Sequence, residues 1–174
     1  MRTKIISSLA VFLAGFVVFA AAPVQSAGVK SAQVFKDWSV HIVGKKKKKI
    51  CYLHGEPKKS TGKYKRRGPT YLQVTQRVAD RARNEVSITA GYSYKKGSAV
   101  TVKFDDKNFS MFTDGSTAWS RDARGDAALV KAMRAGKSMI VTGVSGRGTA
   151  TKDRYSLAGF TAAHKAINKS CGKK

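Results

Sequence analysis

Apolar and polar positions alternate along most of this chain. Trp38, Val40 and Ile42 alternate with Asp37, Ser39 and His41, the period of a strand with one buried face. Gly44 breaks the pattern. Five lysines follow, and an apolar run resumes at residues 50–53, so a hairpin with an almost wholly cationic connection is expected. Further alternations run through Leu72, Val74 and Val78, through Val86, Ile88 and Ala90, through Val100, Val102 and Phe104, and through Phe109 and Met111. Residues 80–84, 95–97 and 105–107 carry the turn chemistry between them. Residues 139–144 read as one more strand and residues 145–148 as a Gly-rich turn. Residues 55–69, punctuated by Pro57, Gly62, Gly68 and Pro69, read as loop. Short strands at this spacing predict an antiparallel sandwich or barrel.

Two segments have helical spacing instead. Phe160, Ala163, Ile167 and Cys171 follow the 3, 4, 4 steps that keep side chains on one face, so the Cys171 sulfur points inward. Lys165 and Lys169, with Lys173 and Lys174 in the tail, lie off that stripe, where cations suit a helix C-terminus. Leu129, Val130 and Met133 form the apolar face of a shorter helix over residues 127–135, with Asp126 as its expected N-cap and Gly136 as its stop. A helix of about nine residues depends on tertiary packing.

The total length of 174 residues fits one domain, and 42% hydrophobic residues suffice for a core. The N-terminus has the layout of a secretory signal: Arg2 and Lys4, an uncharged run over residues 5–22, then small residues up to Ala27. Residues 1–27 are therefore expected to be a signal peptide and residues 28–174 a single domain. The alternative is an uncleaved anchor, since about 18 apolar residues can just span a bilayer. Removing Arg2 and Lys4 takes the formal charge from +24 to +22, a field that favours polyanions and acidic surfaces and says nothing of fold. Export makes a disulfide the simplest state of the two cysteines, Cys51 and Cys171. The alternatives are two buried thiols or a bridge between chains. The intramolecular bond would close a loop of 171 minus 51, or 120 residues.

Charge is concentrated. Between positions 45 and 67, Lys45, Lys46, Lys47, Lys48, Lys49, Lys58, Lys59, Lys63, Lys65, Arg66 and Arg67 stand against the single acid Glu56. These eleven cations are the candidate polyanion-binding residues, for an anionic envelope polymer or lipid phosphate. Tyr52, Tyr64 and Tyr71 among them would also suit single-stranded nucleic acid, but an exported chain does not meet the intracellular kind. The bland reading is a solvated charged loop. Catalytic chemistry has less support. His41, His54 and His164 form no metal-binding spacing, and Cys51 and His54, three apart in a strand, face opposite ways. Residues 143–148, GVSGRG, lack the Gly-Lys-Ser/Thr ending of a phosphate loop. Most carboxylates fall at turns or caps; a hydrolase, whose glycosidase-type carboxylate pair would be brought together only by the fold, is the third reading, behind an adhesin. No catalytic residue, metal or cofactor is expected. Arg124, Gly125 and Asp126 spell an RGD tripeptide, the basis of an alternative adhesin reading.

In order and spacing, several short pieces resemble the invasion-associated locus B family of exported Gram-negative proteins, in its basic, single-disulfide branch. They are FKDW at 35–38, Cys51 with Tyr52, Arg67 with Gly68, LQVTQR at 72–77, NEVS at 84–87 and GY at 91–92. MFTDGSTAW at 111–119, LVKAMRAG at 129–136, RGT at 147–149, YSLAG at 155–159 and Cys171 complete the resemblance. It implies an immunoglobulin-like antiparallel β-sandwich in the periplasm or secreted to the surface, with no established catalytic residues. The family name implies a link to host-cell invasion in some members, and so an envelope or host protein as partner. The lysine run at 45–49 is not part of the pattern.

Overall fold

The computed structural model describes residues 32–172. The expected signal segment 1–27 and the tail residues Lys173 and Lys174 lie outside the described residues. The strands are β1 (Gln33–Phe35), β2 (Trp38–Val43), β3 (Ile50–Gly55), β4 (Lys59–Gly62), β5 (Tyr71–Arg77) and β6 (Ala82–Thr89). They continue with β7 (Ala99–Lys103), β8 (Asn108–Asp114), β9 (Thr117–Trp119), β10 (Ser138–Val144) and β11 (Ala150–Ser156). The helices are α1 (Ala123–Ala135) and α2 (Phe160–Cys171).

The fold is mainly β, antiparallel throughout its ladder, with two helices, as the alternation predicts. The strands pair in the order β1-β2-β3-β5-β6-β9-β8-β7-β10-β11-β4. Two leaves of five strands are thus joined by the three-residue β9, which pairs with β6 on one side and β8 on the other. Both leaves feed one core: Leu53, Leu72 and Val74 from the first, Val100, Val102, Val141 and Tyr155 from the second. Trp38 reaches from the first leaf to donate its Nε1–H to the Ser156 carbonyl at 3.1 Å. Its ring also meets Phe160 edge-on at 5.0 Å, so α2 closes the core at that point.

The inward stripe on α2 is as its spacing predicts: Phe160, Ala163, Ile167 and Cys171 are all buried. Cys171 is bonded to Cys51 across a separation of 120 residues. Beside the stripe, a polar chain crosses from α2 to the first leaf. His164 Nε2 lies 2.8 Å from Asn84 Oδ1, Asn168 Nδ2 lies 3.3 Å from His164 Nδ1, and Gln76 Nε2 donates to Asn168 Oδ1. Burial holds the His164 pKa below its usual value, with Arg134 adding to the effect.

Three local expectations change. Residues 55–69 contain β4, whose four residues are all exposed and so show no apolar alternation; backbone pairing with β11 makes it a strand. β9 is too short to carry a pattern. α1 begins at Ala123, and its cap is Asp122, whose carboxylate accepts from Gly125 N at 2.8 Å. Asp126, the expected cap, sits one turn further in. It is buried and accepts from Val86 N at 3.0 Å. Two aspartates four apart both suit a cap, and only the fold separates their roles. The RGD tripeptide is therefore helical, with its carboxylate turned into the protein.

Candidate functional site: the cationic surfaces

Cys51 lies in β3, and the eleven candidate cations leave that strand from both ends. Lys49 precedes its first residue, and Lys58 follows three residues after its last. Six extended residues separate those ends by roughly 17 Å, so the basic segment forms two surfaces.

At the start of β3, residues 45–49 make a tight connection. Gly44 takes φ +73°, and a Cβ there would meet the Lys48 carbonyl oxygen at 2.3 Å, so the turn needs glycine. Lys46–Lys48 form a single 3₁₀ turn. Lys45, Lys46, Lys47 and Lys48 are exposed, while Lys49 is partly buried and donates to the Ser170 carbonyl at 3.3 Å. Arg83 donates to the Cys171 carbonyl at 2.7 Å. Two cations thus satisfy carbonyls left open at the end of α2, where the helix dipole favours positive charge. The disulfide fixes the same corner.

Beyond the other end of β3, the cations divide by role. Lys58 pairs with Asp37 at 2.5 Å, and that contact lowers the Asp37 pKa. Arg67 leaves the surface set altogether. Its guanidinium forms a bidentate pair with Asp153 at 2.6 and 2.7 Å, and its Nε donates to the Ala90 carbonyl at 2.6 Å. The two side chains are 6% and 4% exposed. Tyr64 and Tyr92 lie against the guanidinium at 5.5 and 5.1 Å from their ring centroids. Burial opposes the charge, but Asp153 outweighs it and raises the Arg67 pKa. Sequence reveals Arg67 as basic; its partner 86 residues later is visible only in the fold. Lys59, Lys63, Lys65 and Arg66 remain exposed.

β4 carries Lys59 beside β11, and this brings in cations that lie far away in sequence. Outward-facing residues of the second leaf align in rows through Lys103↔Ile140↔Arg154↔Lys59 and Thr101↔Thr142↔Lys152↔Thr61. None of Lys59, Lys103, Lys152 and Arg154 pairs with an acid among the described residues. Strand alternation already placed Lys103 opposite the core residues Val102 and Phe104. The pairing of β4 with β11 was the missing element.

The outer face of the first leaf holds a different group. His41 and Tyr52 form a cross-strand stack at 4.8 Å, and His54 meets Tyr71 at 5.0 Å. Burial, then the neighbouring His54, lowers the His41 pKa. His54 and the disulfide sulfur of Cys51 lie on opposite faces, as their spacing requires. No group of three or more His, Cys, Asp or Glu among the described residues is placed to hold a metal ion. Also among them, no helix is long and apolar enough to cross a membrane.

The arrangement defines a small β domain, tied from its third strand to its closing helix by a disulfide, that presents charged sheet faces and turns. Residues 38–168 match the family model described as Invasion associated locus B (IalB) protein, and the chain belongs to that family. The fold is similar to the crystal structure of invasion associated protein B from Bartonella henselae, with a TM-score of 0.53 at 18% identity. The match covers 81% of this chain and 99% of that chain. No curated protein matches it.

Proposed function

We propose that this family member is a non-catalytic protein of the cell envelope, periplasmic or secreted, that binds anionic envelope material through its basic surface. The observation that carries the reading is the cation surplus left exposed after the internal pairs are made. Lys58 and Arg67 are engaged with acids, whereas Lys45, Lys46, Lys47, Lys48, Lys59, Lys63, Lys65 and Arg66 stand on the surface without an acid partner among the described residues. The signal-like N-terminus supports export. The buried polar groups support a structural role: Asp126 is bonded to Val86 N, Asp153 to Arg67, and His164 to Asn84. The anionic partner is a polymer or a lipid phosphate; a partner protein is the other candidate. The burial of Asp126 weighs against an RGD route to a host-cell adhesin, and the invasion-related family name is what supports that second reading.

The test is retention of the oxidised mature chain on heparin and lipopolysaccharide columns as salt is raised. Charge-driven binding weakens steeply over the range in which the Debye length falls from about 10 to 3 Å. Absence of retention at low salt overturns the proposal.

A further inference from the structure

We propose that the outer face of the β7-β10-β11-β4 leaf is a docking face for a linear acidic polysaccharide. This rests on the polyanion reading above and names its ligand class and place. Three observations carry it.

The first is charge. Lys59 and Arg154 are directly opposite each other on neighbouring strands, and Lys103 lies in the same row. Like charges facing across a ladder repel. An anionic chain laid over the row removes that repulsion. Lys152 lies two residues from Arg154 on the same face, and the alternating Asp153 points inward to Arg67. The acids near this leaf are at its rim: Asp37, taken up by Lys58 beside the end of β11, Asp105 and Asp106 in the turn before β8, and Asp114 at the end of β8.

The second is shape. Adjoining shallow depressions run along β4 and β11, sharing Thr61, Gly62, Ala150 and Lys152. Their lining includes small and hydroxylated residues, Thr101 and Thr142 among them, with Val144 and Ile140 as its branched apolar members. Lys63 and Arg147 line the far end. A polymer can therefore lie flat with cations along its course.

The third is the order of chemistry across the strands. In the row through Lys152, the cation on β11 gives way to Thr142 on β10 and Thr101 on β7, and beyond them β8 carries Phe112, paired with Ala99 and 40% exposed. From Lys152 to the row of β8 is three inter-strand steps, roughly 14 Å, room for more than one sugar ring. Cations, then hydroxyls, then an exposed aromatic ring further across the face match a carbohydrate bearing carboxylates or sulfates. A membrane surface would instead be met by apolar side chains set around the basic ones. Here Phe112 is the one large exposed hydrophobic residue on the leaf, and it stands on the side away from the cations.

The experiment is titration calorimetry of the oxidised mature chain with heparin, polygalacturonate, neutral dextran and phosphatidylglycerol vesicles. Three variants are compared: Lys59→Gln/Lys152→Gln/Arg154→Gln, Phe112→Ser, and the replacement of all five lysines at 45–49 by glutamine. All alter exposed positions except Lys49, whose change also removes a bond to the Ser170 carbonyl, and a thermal melt verifies folding. The triple variant should weaken binding to both acidic polymers by roughly tenfold or more, as the loss of three exposed charge contacts implies. Phe112→Ser should lower affinity without changing its salt dependence, and dextran should not bind. If the five-lysine variant abolishes polymer binding while the triple variant equals wild type, this inference falls and the polyanion reading stands. Binding to vesicles but to neither polymer also overturns it in favour of a lipid phosphate. Absence of binding to every anionic probe at low salt overturns both.

Discussion

Replacing Arg67 by methionine tests whether this cation belongs to the interior or to the binding surface. The guanidinium makes two bonds to Asp153 and one to the Ala90 carbonyl, with both side chains almost fully enclosed. Arg67→Met leaves the Asp153 carboxylate buried without its counter-charge, an event that typically costs about 3 to 5 kcal/mol. That is a large share of the roughly 5 to 15 kcal/mol available to a domain, and corresponds to a fall in melting temperature of roughly 6 to 20 °C. The double variant Arg67→Met/Asp153→Leu removes both charges and should recover most of the loss, because an apolar pair of similar volume leaves nothing unpaired. Thermal and guanidinium unfolding followed by circular dichroism measure all three proteins, with heparin retention in parallel. An unchanged melting temperature for Arg67→Met together with weakened retention would refute the assignment, because it would place the guanidinium at the surface.

Three further outcomes are expected. Cys51→Ala/Cys171→Ala releases a loop of 120 residues and should lower stability by about 3 to 5 kcal/mol in denaturant unfolding, with the oxidised protein as reference. Burial first, then His54 and Arg134 respectively, lower the pKa values of His41 and His164, so the unfolded chain binds protons first as pH falls through 6.5, the usual histidine value. Stability should therefore be fully present above that pH and decline below it until the depressed folded values are reached; His164→Gln should flatten the decline in melts taken from pH 8 to 5. Gly159 takes φ +89°, and a Cβ there would meet the Phe35 carbonyl oxygen at 1.9 Å, whereas Gly97 at φ +73° has nothing within 4 Å. Gly159→Ala should cost clearly more in melting temperature than Gly97→Ala, which carries only a left-handed penalty of about 1 to 2 kcal/mol.

Period-2 and helical patterns made much of this fold legible. Trp38 and Val40 had to share a face, and Phe160, Ala163, Ile167 and Cys171 had to share another, whatever they packed against. Two cysteines in a chain with a signal-like start pointed to each other. What the pattern could not carry was partnership across the ladder. β4 has no apolar face, so its residues resemble a loop until β11 is beside them. Asp122 and Asp126 are chemically alike, and their separation into cap and core depends on Val86. The basic segment was visible as charge, but Arg67 was destined for Asp153, and the proposed docking face gains Lys103, Lys152 and Arg154 from elsewhere in the chain.

The Cys51–Cys171 bond also sets an order of events during biosynthesis. At synthesis rates of about 5 to 20 residues per second, Cys51 is made roughly 6 to 24 s before Cys171. Throughout that interval β3 has its thiol but no closing helix, and the inward side of Trp38, Leu53 and Phe160's future site lacks its cover. A chain that stops before Ser170 lacks the sulfur, the helix end and the carbonyls that Lys49 and Arg83 grip, all at once. Oxidation thus follows the making of α2: the bridge can form only once the last turn of that helix has been added.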